Sequence, residues 1–518
     1  MSETVYLTAV TIALVLSVII FMILRVVRQQ RIVDSPLLIS AWWETAVTLW
    51  NDELRQDRQM MQLFVAIAGV IISLSIGTIY GHNSWVTGWQ LWTWFLTVSV
   101  MIVALMPRGR LFMKRPFTQI LADYRWPFLI TLLALLLRLP FLETVPGGLH
   151  IDEMGVAGYS ALHIFPPDAL TINPFHTGAS SQPVLYHYLI RLSFSLFGYS
   201  IFGLRISSVL VGTAAILATY GVVVVFANRQ TAVITIALLS TYHYHIHWSR
   251  IGLNNIWDTL WVPLVLFLFV WGYRRDWSGG AVLSGIALGL SQYFYAGSKI
   301  VLFMLPFMLW MLYKELPDRR RMLIHVGKLS VTAVAVGAPI TLFALLEPDT
   351  FFARSRVVFG WQPAVIIDAI GELNFVKYFW YQVWRNFGAY TSVPEITGFY
   401  GPGVPFLIGI AAPLFIIGLL WAIWKRQWMP ILWVLFTTIF GGMLLGGAPS
   451  SSHYVAVIPA ICWLTAVPIN WVWQQRGWKL AMLLLIIIML TDLIFYFGVY
   501  VPAGPRDLIN QIPTWPFP

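Results

Sequence analysis

Residues 138–159 read RLPFLETVPGGLHIDEMGVAGY, and the rest of the chain is organised around this stretch. An apolar run ends at Pro140, a Pro-Gly-Gly turn follows, and Asp152 and Glu153 then place two carboxylates side by side. Only 10% of the residues are charged, so an acidic pair just after a hydrophobic run requires an explanation. The pair belongs either to a solvated loop or to a reactive site at a membrane surface, and the surrounding sequence decides between these.

The composition indicates a polytopic membrane protein. Of the 518 residues, 58% are hydrophobic and 15% are aromatic, which exceeds the usual content of a soluble chain. The net charge of +10 fits Lys and Arg in cytoplasmic loops and near anionic lipids. No nucleic-acid-binding pattern is present, so we predict no nucleic-acid partner. The single cysteine, Cys462, excludes an internal disulfide framework.

The apolar runs predict an all-α, polytopic integral membrane helix bundle of about fourteen spans, each crossing about 30 Å of hydrocarbon. The segment at 32–60 is predicted to form an amphipathic helix on the inner surface, and QPVLYHYLIRLSFSLFG (182–198) one in the first outer loop. The predicted spans cover residues 5–23, 63–80, 91–106, 126–141, 203–226, 231–247, 256–273, 279–296, 300–314, 326–346, 404–424, 430–447, 454–473 and 479–500.

The basic residues fix a predicted orientation. Lys and Arg recur in every second loop between the spans, as in PRGRLFMKR (107–115), and these loops should be cytoplasmic. The N-terminus, Asp152 and Glu153 then lie outside. We predict a prokaryotic cytoplasmic membrane protein with its site on the outer face; an endoplasmic reticulum membrane has the equivalent sidedness.

Unusual polar residues gather on the predicted outer side rather than at the membrane midplane, where transporters carry their charged sites. This placement favours an enzyme that acts on a lipid headgroup. Arg250 and Lys299 lie where a lipid phosphate would sit, so they are candidates for anion binding, with headgroup snorkelling as the alternative. His243 and His247 are one helical turn apart and could bind a metal or simply form structural hydrogen bonds.

Several motifs recur in a characteristic order. Arg138 closes a predicted span, and Asp152-Glu153 with Tyr159 follow. The later motifs are QPVLYHYLI, FGYSIFGLRISSVL, WSRIGLNN and QYFYAGSK. Together they resemble the GT-C membrane glycosyltransferases, specifically the protein mannosyltransferase and aminoarabinose transferase group (glycosyltransferase family 39-like). The resemblance covers roughly residues 126–500.

This resemblance implies a hexosyl or pentosyl transferase that uses a polyprenyl-phosphate sugar and transfers the sugar with inversion on the outer face. The carboxylate base then falls on Asp152, and Glu153 would position the acceptor or a metal. Arg250 and Lys299 would hold the donor phosphate. A divalent metal is compatible with this assignment but is not required by it. The residues expected to support the site or to contact the acceptor are Arg138, His150, Tyr159, His247 and Tyr295.

The chain departs from this group at both ends. Residues 1–110 form an N-terminal extension with three predicted spans, which could dock a protein partner, residues 111–500 form the expected core, and residues 501–518 a short outer tail. The acceptor is left open among a lipid, a glycan and a protein. Two other functions are compatible with the sequence: a transporter of lipid-linked sugars, and a structural subunit of a larger membrane assembly.

Overall fold

The computed structural model describes residues 55–77, 84–107, 117–162, 173–178, 182–395, 397–447 and 449–504. The predicted first span (5–23), most of the predicted surface helix (32–60) and most of the tail (501–518) lie outside these ranges. The described chain is helical, and extended residues pair only in isolated bridges between Thr177 and Pro183 and between Phe359 and Leu445. The predicted all-α fold is confirmed for these residues.

The first half of the described chain contains the helices α1 (Arg55–Gly77), α2 (Ser84–Leu105), α3 (Phe117–Arg138), α4 (Leu185–Phe197), α5 (Ile201–Phe226), α6 (Arg229–Thr241), α7 (His243–Ser249), α8 (Asp258–Arg274) and α9 (Gly279–Ser291). A π-helix (Glu153–Tyr159) continues into the short helix Ser160–Leu162, and two 3₁₀ helices (Asn254–Trp257 and Ala296–Lys299) precede α8 and the first helix of the second half. The amphipathic helix predicted at 182–198 is present as α4.

The second half contains α10 (Ile300–Glu315), α11 (Arg319–Leu346), α12 (Ala353–Val358), α13 (Pro363–Ile370), α14 (Phe375–Gly388), α15 (Ala411–Trp424), α16 (Trp428–Thr438), α17 (Ile458–Arg476) and α18 (Trp478–Leu493). Shorter helical segments are Pro348–Phe351, Ser451–Tyr454 and Val501–Ala503, the π-helices Ile439–Met443 and Ile494–Tyr500, and the 3₁₀ helix Val455–Val457.

Six helical segments of the described chain are long and apolar enough to cross a membrane, so this is an integral membrane protein, as the composition predicts. Further apolar helices are shorter, and they include the helix at Ala411–Trp424. The total of about fourteen spans stays a prediction, because each span needs roughly 20 residues and the shorter helices do not reach that length alone. The six long segments are Ile201–Phe226, Asn254–Arg274, Ala296–Glu315, Arg319–Leu346, Ser451–Arg476 and Trp478–Ala503.

Polar residues at loop ends begin several of these helices. The Ser200 hydroxyl accepts a hydrogen bond of 3.0 Å from the backbone N–H of Gly203 at the start of α5. The Asn228 side chain accepts one of 2.8 Å from Thr231 at the start of α6. Each side chain satisfies a backbone donor that the first turn of a helix leaves unpaired. The short loops therefore specify where the long apolar helices begin.

Glycines allow α9 and α11 to pack closely. A Cβ atom on Gly285 would lie 2.5 Å from the Leu329 carbonyl oxygen, and one on Gly289 would lie 2.6 Å from the Val336 Cβ. Both distances are shorter than side chains tolerate. Small residues at helix contacts are typical of membrane bundles, where close van der Waals packing holds helices together. The helix pair α9–α11 is therefore a fixed unit of the bundle.

The described part of the N-terminal extension packs onto this pair. Trp94 of α2 donates a hydrogen bond of 3.2 Å from its indole nitrogen to the Val336 carbonyl of α11. Its ring lies 5.4 Å from Phe175 and 5.9 Å from Tyr293, measured between centroids. The extension thus contacts both α11 and the segment at 173–178. The division of the chain at residue 110 and a protein partner for the extension remain predictions.

Candidate active site

A cavity of about 600 Å³ lies between the loop after α3, the segments that follow α7 and α9, and residues of α12 and the 440–453 region. Ring stacking at 4.3 Å joins Phe303 of α10 to Phe440 in its apolar wall. Cavities of this size, mostly apolar with a few polar groups, are typical ligand sites. The polar side chains in the wall include Asp152, Gln182, Asn255, Lys299, Arg354 and His453, and the apolar ones include Ile300, Phe303, Phe351, Phe440 and Leu444.

Asp152 lies at the start of the π-helix Glu153–Tyr159 and is partly exposed to the cavity. Its backbone N–H donates a hydrogen bond of 3.0 Å to Nδ1 of His150, which fixes the turn but leaves the carboxylate unused. Among the residues that the structure describes, none donates a hydrogen bond to that carboxylate. Asp152 therefore presents an acidic group to the cavity that a ligand can approach.

Glu153 has the opposite environment, because its side chain is completely buried. One carboxylate oxygen accepts hydrogen bonds from Nε of Arg205 at 2.9 Å and from the Gly252 N–H at 2.6 Å. The other accepts from Nη2 of Arg205 and from the His150 N–H, both at 3.1 Å. Glu153 does not line the cavity. Its predicted role in positioning an acceptor or a metal stays untested, and the geometry favours a structural role.

Arg205 completes this ion pair. Besides the two bonds to Glu153, its guanidinium donates to three backbone carbonyls of the loop after α3, so all five N–H groups have acceptors. The sequence motif FGLR contains this arginine, but spacing alone gave no reason to assign it a partner. The three carbonyls, at 2.7–3.0 Å, belong to Leu142, Pro146 and Gly148.

Arg250 is saturated in the same way, at the end of α7. Its five N–H groups donate to five backbone carbonyls at 2.6–3.2 Å, and the residue is only 1% exposed. A phosphate could bind Arg250 only if some of these bonds were broken, and Arg250 does not line the cavity. We therefore do not assign Arg250 to the donor phosphate. The five carbonyls are those of Leu137, Arg138, Pro140, Phe141 and Val145.

Arg138 is the third buried arginine. It donates to the carbonyl groups of Ala134, Leu239 and Ser240 and makes a bond of 2.7 Å to Nδ1 of His245. It joins the end of α3 to the end of α6 and does not line the cavity. We call Arg138, Glu153, Arg205 and Arg250 the arginine cluster. Apart from Nε of Arg138, which has no acceptor among the described residues, the donors of the cluster are used internally, so the cluster holds the loop that carries Asp152.

Lys299 does line the cavity, as its predicted role requires. It ends the 3₁₀ helix Ala296–Lys299 directly before α10, and its ammonium lies 5.4 Å from the centre of the Phe351 ring. The buried carboxylate of Asp258 supports the turn, accepting a hydrogen bond of 2.9 Å from the Ser298 N–H. This arrangement places a cation at the cavity wall, directly after a turn that Asp258 holds.

Arg354 of α12 is a second cation in the cavity wall. Its side chain is exposed, and it makes no hydrogen bond to another described residue. The sequence analysis did not select it as a site residue. Only the tertiary structure brings α12, more than 50 positions along the chain, beside Lys299.

The remaining predicted residues support the cavity rather than line it, with one exception. Tyr295 lines it and hydrogen-bonds through its hydroxyl to Nδ1 of His453 at 2.9 Å; burial raises the pKa of Tyr295. His247 bonds through Nε2 to the Phe399 carbonyl at 3.0 Å, and the His150 ring stacks on Phe399 at 4.5 Å. The side chain of Tyr159 lies outside the described part of the chain.

Glu395 is a buried acid that the sequence analysis missed. It is 1% exposed and accepts a hydrogen bond of 2.8 Å from the Thr397 N–H, and burial raises its pKa to about 7. Within the described residues it forms no salt bridge. As for a metal, no three His, Cys, Asp or Glu side chains of the described chain come together in a group that could hold one.

Several solved structures are similar to this chain over part of its length. The apo crystal structure of ArnT from Cupriavidus metallidurans is 18% identical, with a TM-score of 0.45, and the match covers 67% of this chain and 60% of that one. The structure of the same protein bound to undecaprenyl phosphate is 17% identical, with a TM-score of 0.47 and coverages of 70% and 63%. This chain thus spans about three fifths of the ArnT length.

The apo oligosaccharyltransferase of Archaeoglobus fulgidus is 14% identical, with a TM-score of 0.46 and coverages of 75% and 56%. No curated protein is similar enough to count as a match. A family model described as dolichyl-phosphate-mannose-protein mannosyltransferase matches residues 181–343, about a third of the chain. Over these residues the chain is similar to the protein mannosyltransferases, the group that its motifs resemble.

Proposed function

We propose that this protein is a glycosyltransferase that moves a sugar from a polyprenyl-phosphate donor to an acceptor hydroxyl, with inversion, on the outer face of the membrane. One observation carries the proposal: a single cavity contains Asp152, whose carboxylate accepts no hydrogen bond from the described residues, and two cations, Lys299 and Arg354. The family match adds support, since the matched residues 181–343 include Lys299 and other parts of the cavity wall.

The cavity suits a ligand with a charged head and an apolar tail. Lys299 lies directly before α10, and Ile300 and Phe303 follow within the next turn of that helix. A phosphate held by Lys299 and Arg354 would leave its isoprenoid chain beside these apolar residues. Lysine and arginine are the side chains that bind phosphate most strongly, because their hydrogen bonds are reinforced by charge. We therefore assign both cations to the donor phosphate.

The reaction is a single displacement at the anomeric carbon. The acceptor oxygen attacks that carbon as Asp152 takes the hydroxyl proton, and the bond from carbon to phosphate oxygen breaks. Polyprenyl phosphate leaves with the electron pair of that bond, and the configuration at carbon inverts. The phosphate needs no general acid, but its growing negative charge needs fixed cations, which Lys299 and Arg354 supply. No step is routed through a metal.

The arginine cluster has a positioning role in this mechanism. Arg205 neutralises Glu153 and holds the carbonyls of the loop after α3, so the turn that presents Asp152 is fixed from behind. His150 connects the two acidic residues. Its backbone N–H donates a hydrogen bond to Glu153, and its ring nitrogen accepts one from the Asp152 N–H. Asp152 therefore acts as the base, and Glu153, Arg205 and His150 hold it in position.

The test is transfer from a radiolabelled polyprenyl-phosphate sugar to crude membrane acceptors, catalysed by the full chain in lipid. We expect Asp152→Asn to lower the transfer rate by at least about 10²-fold, the usual contribution of a positioned base. Glu143→Gln is the matched control, because Glu143 is an exposed acid of the same loop, and its rate should equal that of the wild type.

Equal transfer by wild type and Asp152→Asn would refute the assignment of the base. If the intact wild-type protein cleaves no donor in a panel of polyprenyl-phosphate sugars, the glycosyltransferase assignment is refuted and the structural-subunit hypothesis is left. Movement of labelled donor across vesicles without cleavage of its sugar–phosphate bond would instead identify a transporter.

A further inference from the structure

Helix α14 (Phe375–Gly388) has its polar side turned inward. Tyr378, Gln382 and Asn386 recur every four residues and are each at most 2% exposed. The Tyr378 hydroxyl donates to the Gly360 carbonyl at 2.9 Å, and the Gln382 amide donates to the Leu445 carbonyl at 3.1 Å. These hydrogen bonds hold the polar side of α14 against its neighbours.

The opposite side of α14 is apolar and exposed. Trp380 and Trp384, one helical turn apart, are 63% and 67% exposed. A helix at a water-covered surface shows the reverse pattern, with apolar residues inward and polar residues outward. No described residue covers this side. The other exposed apolar residues of the helix are Phe375, Val376, Phe379 and Phe387.

Helix α14 lies in a segment between two apolar helices, and this connection holds it near the membrane surface where those helices end. It belongs to the segment that joins the long apolar helix α11 to the apolar helix α15. Backbone hydrogen bonds of 2.9 Å, from Gly360 to Leu444 and from Gly446 to Val358, attach this segment to the end of the helical stretch that begins with α16. The segment that carries α14 is therefore attached to the end of an apolar helix.

The composition of this face identifies its partner. Tryptophan and tyrosine are enriched where membranes meet water, and basic residues beside them reach toward lipid phosphates. Lys377 and Arg385 lie on the same helix as the aromatic residues; the Arg385 guanidinium lies 5.1 Å from the centre of the Tyr381 ring.

We propose that α14 is an interfacial membrane helix, whose face of Val376, Phe379, Trp380, Trp384 and Phe387 inserts between lipid headgroups and the upper acyl chains. The same helix holds the cavity wall on its polar side: Gln382 binds the carbonyl of the cavity residue Leu445, and Asn386 accepts from Tyr454, next to His453. The bilayer thus fixes one wall of the cavity from outside. The insertion itself does not depend on the proposed reaction.

Site-directed spin labelling tests this insertion, and the chain suits it because Cys462 is its one cysteine. In a Cys462→Ser background, nitroxides would be attached at Trp380→Cys and at Trp384→Cys in the full chain, reconstituted in phosphatidylcholine–phosphatidylglycerol vesicles. Leu420→Cys, exposed on the apolar helix α15, is the lipid reference, and Asp368→Cys, exposed on α13, is the aqueous reference. Each variant is first shown to elute as a single species in detergent.

We expect the labels at 380 and 384 to be several-fold more accessible to oxygen than to a water-soluble nickel complex, with ratios between those of the two references and well above the aqueous one. Ratios equal to that at 368 would overturn the proposal. Low accessibility to both reagents, with dipolar broadening between labels on different molecules, would also overturn it, by showing that a second copy covers the face.

Discussion

The arginine cluster and the cavity wall are separated by a single peptide bond, yet they use their charges in opposite ways. Glu153 is completely buried and receives four hydrogen bonds, and the five N–H groups of Arg205 all have acceptors. Asp152 and Lys299 face the cavity, without hydrogen bonds from their charged groups to described residues. Charges satisfied inside a protein stabilise its structure, whereas charges left accessible are available to a ligand.

The difference also explains why three buried arginines lie so close to a proposed phosphate site without taking part in it. Arginine is favoured in buried ion pairs because its planar guanidinium group can donate to several acceptors at once. Arg250 binds the carbonyls of Leu137 and Arg138 at the end of α3, where helix carbonyls lack partners within the helix, and three carbonyls of the loop that follows. The cluster therefore turns a helix end and a loop into a rigid platform for Asp152.

The largest effect should come from breaking the cluster. Arg205→Leu would leave Glu153 buried without its counter-charge, which costs about 3–5 kcal/mol of folding stability. We expect little folded protein, or a strongly lowered unfolding temperature, measured by thermal unfolding in detergent. Arg356→Leu removes an exposed arginine and should unfold like the wild type. Asp152→Asn should also match the wild type; an equal loss of stability there would contradict the contrast between the two regions.

A smaller effect should follow from changing the cavity wall at Arg354. One charge-assisted hydrogen bond contributes about 1.5–3 kcal/mol, so Arg354→Gln should weaken donor binding by about 10- to 100-fold. The measurement is the concentration dependence of transfer with the polyprenyl-phosphate sugar. Arg356→Gln, two residues further along the same helix and paired with Asp349, is the control and should bind normally. Similar losses in both variants would show that donor binding depends on the overall positive charge of this helix rather than on a specific site at Arg354.

The mildest test concerns Glu395, which is buried like Glu153 but has no salt bridge among the described residues. Burial raises its pKa to about 7 in the folded protein, above the value of an unfolded glutamate. Because the folded state then binds more protons, stability from this group is greatest below about pH 4.5 and falls as the pH rises toward about 7. The unfolding temperature should therefore be higher at pH 5 than at pH 8 by several degrees, on the order expected for about 2 kcal/mol.

Glu395→Gln provides the comparison, because the neutral amide cannot titrate and should reduce this difference between pH 5 and 8. An unchanged pH dependence in the variant would assign it to another group. The unfolding curve of Glu153→Gln should not serve as a substitute, since that change also alters the Arg205 ion pair.

Much of the architecture could be predicted from sequence because the signals are local. The apolar length of α5 and α11, the amphipathic pattern of α4 and the polar caps Ser200 and Asn228 depend on neighbouring residues. Asp152 and Lys299, which the motifs selected, both line the cavity, while the roles assigned to them remain predictions. The same motifs could not show that Arg250 is saturated, because its acceptors lie more than 100 residues away in the chain.

What the sequence by itself determined is the membrane character, the helices and the small set of polar residues near the site, since hydrophobic periodicity and composition act over short stretches. What only the tertiary structure decided is the partner of each charge. It paired Glu153 with Arg205 and left Asp152 open, it brought Arg354 to the cavity, and it turned the aromatic side of α14 outward. These outcomes depend on contacts between distant segments. Because of such contacts, the adjacent acids Glu153 and Asp152 become a member of a buried ion pair and an accessible carboxylate, respectively.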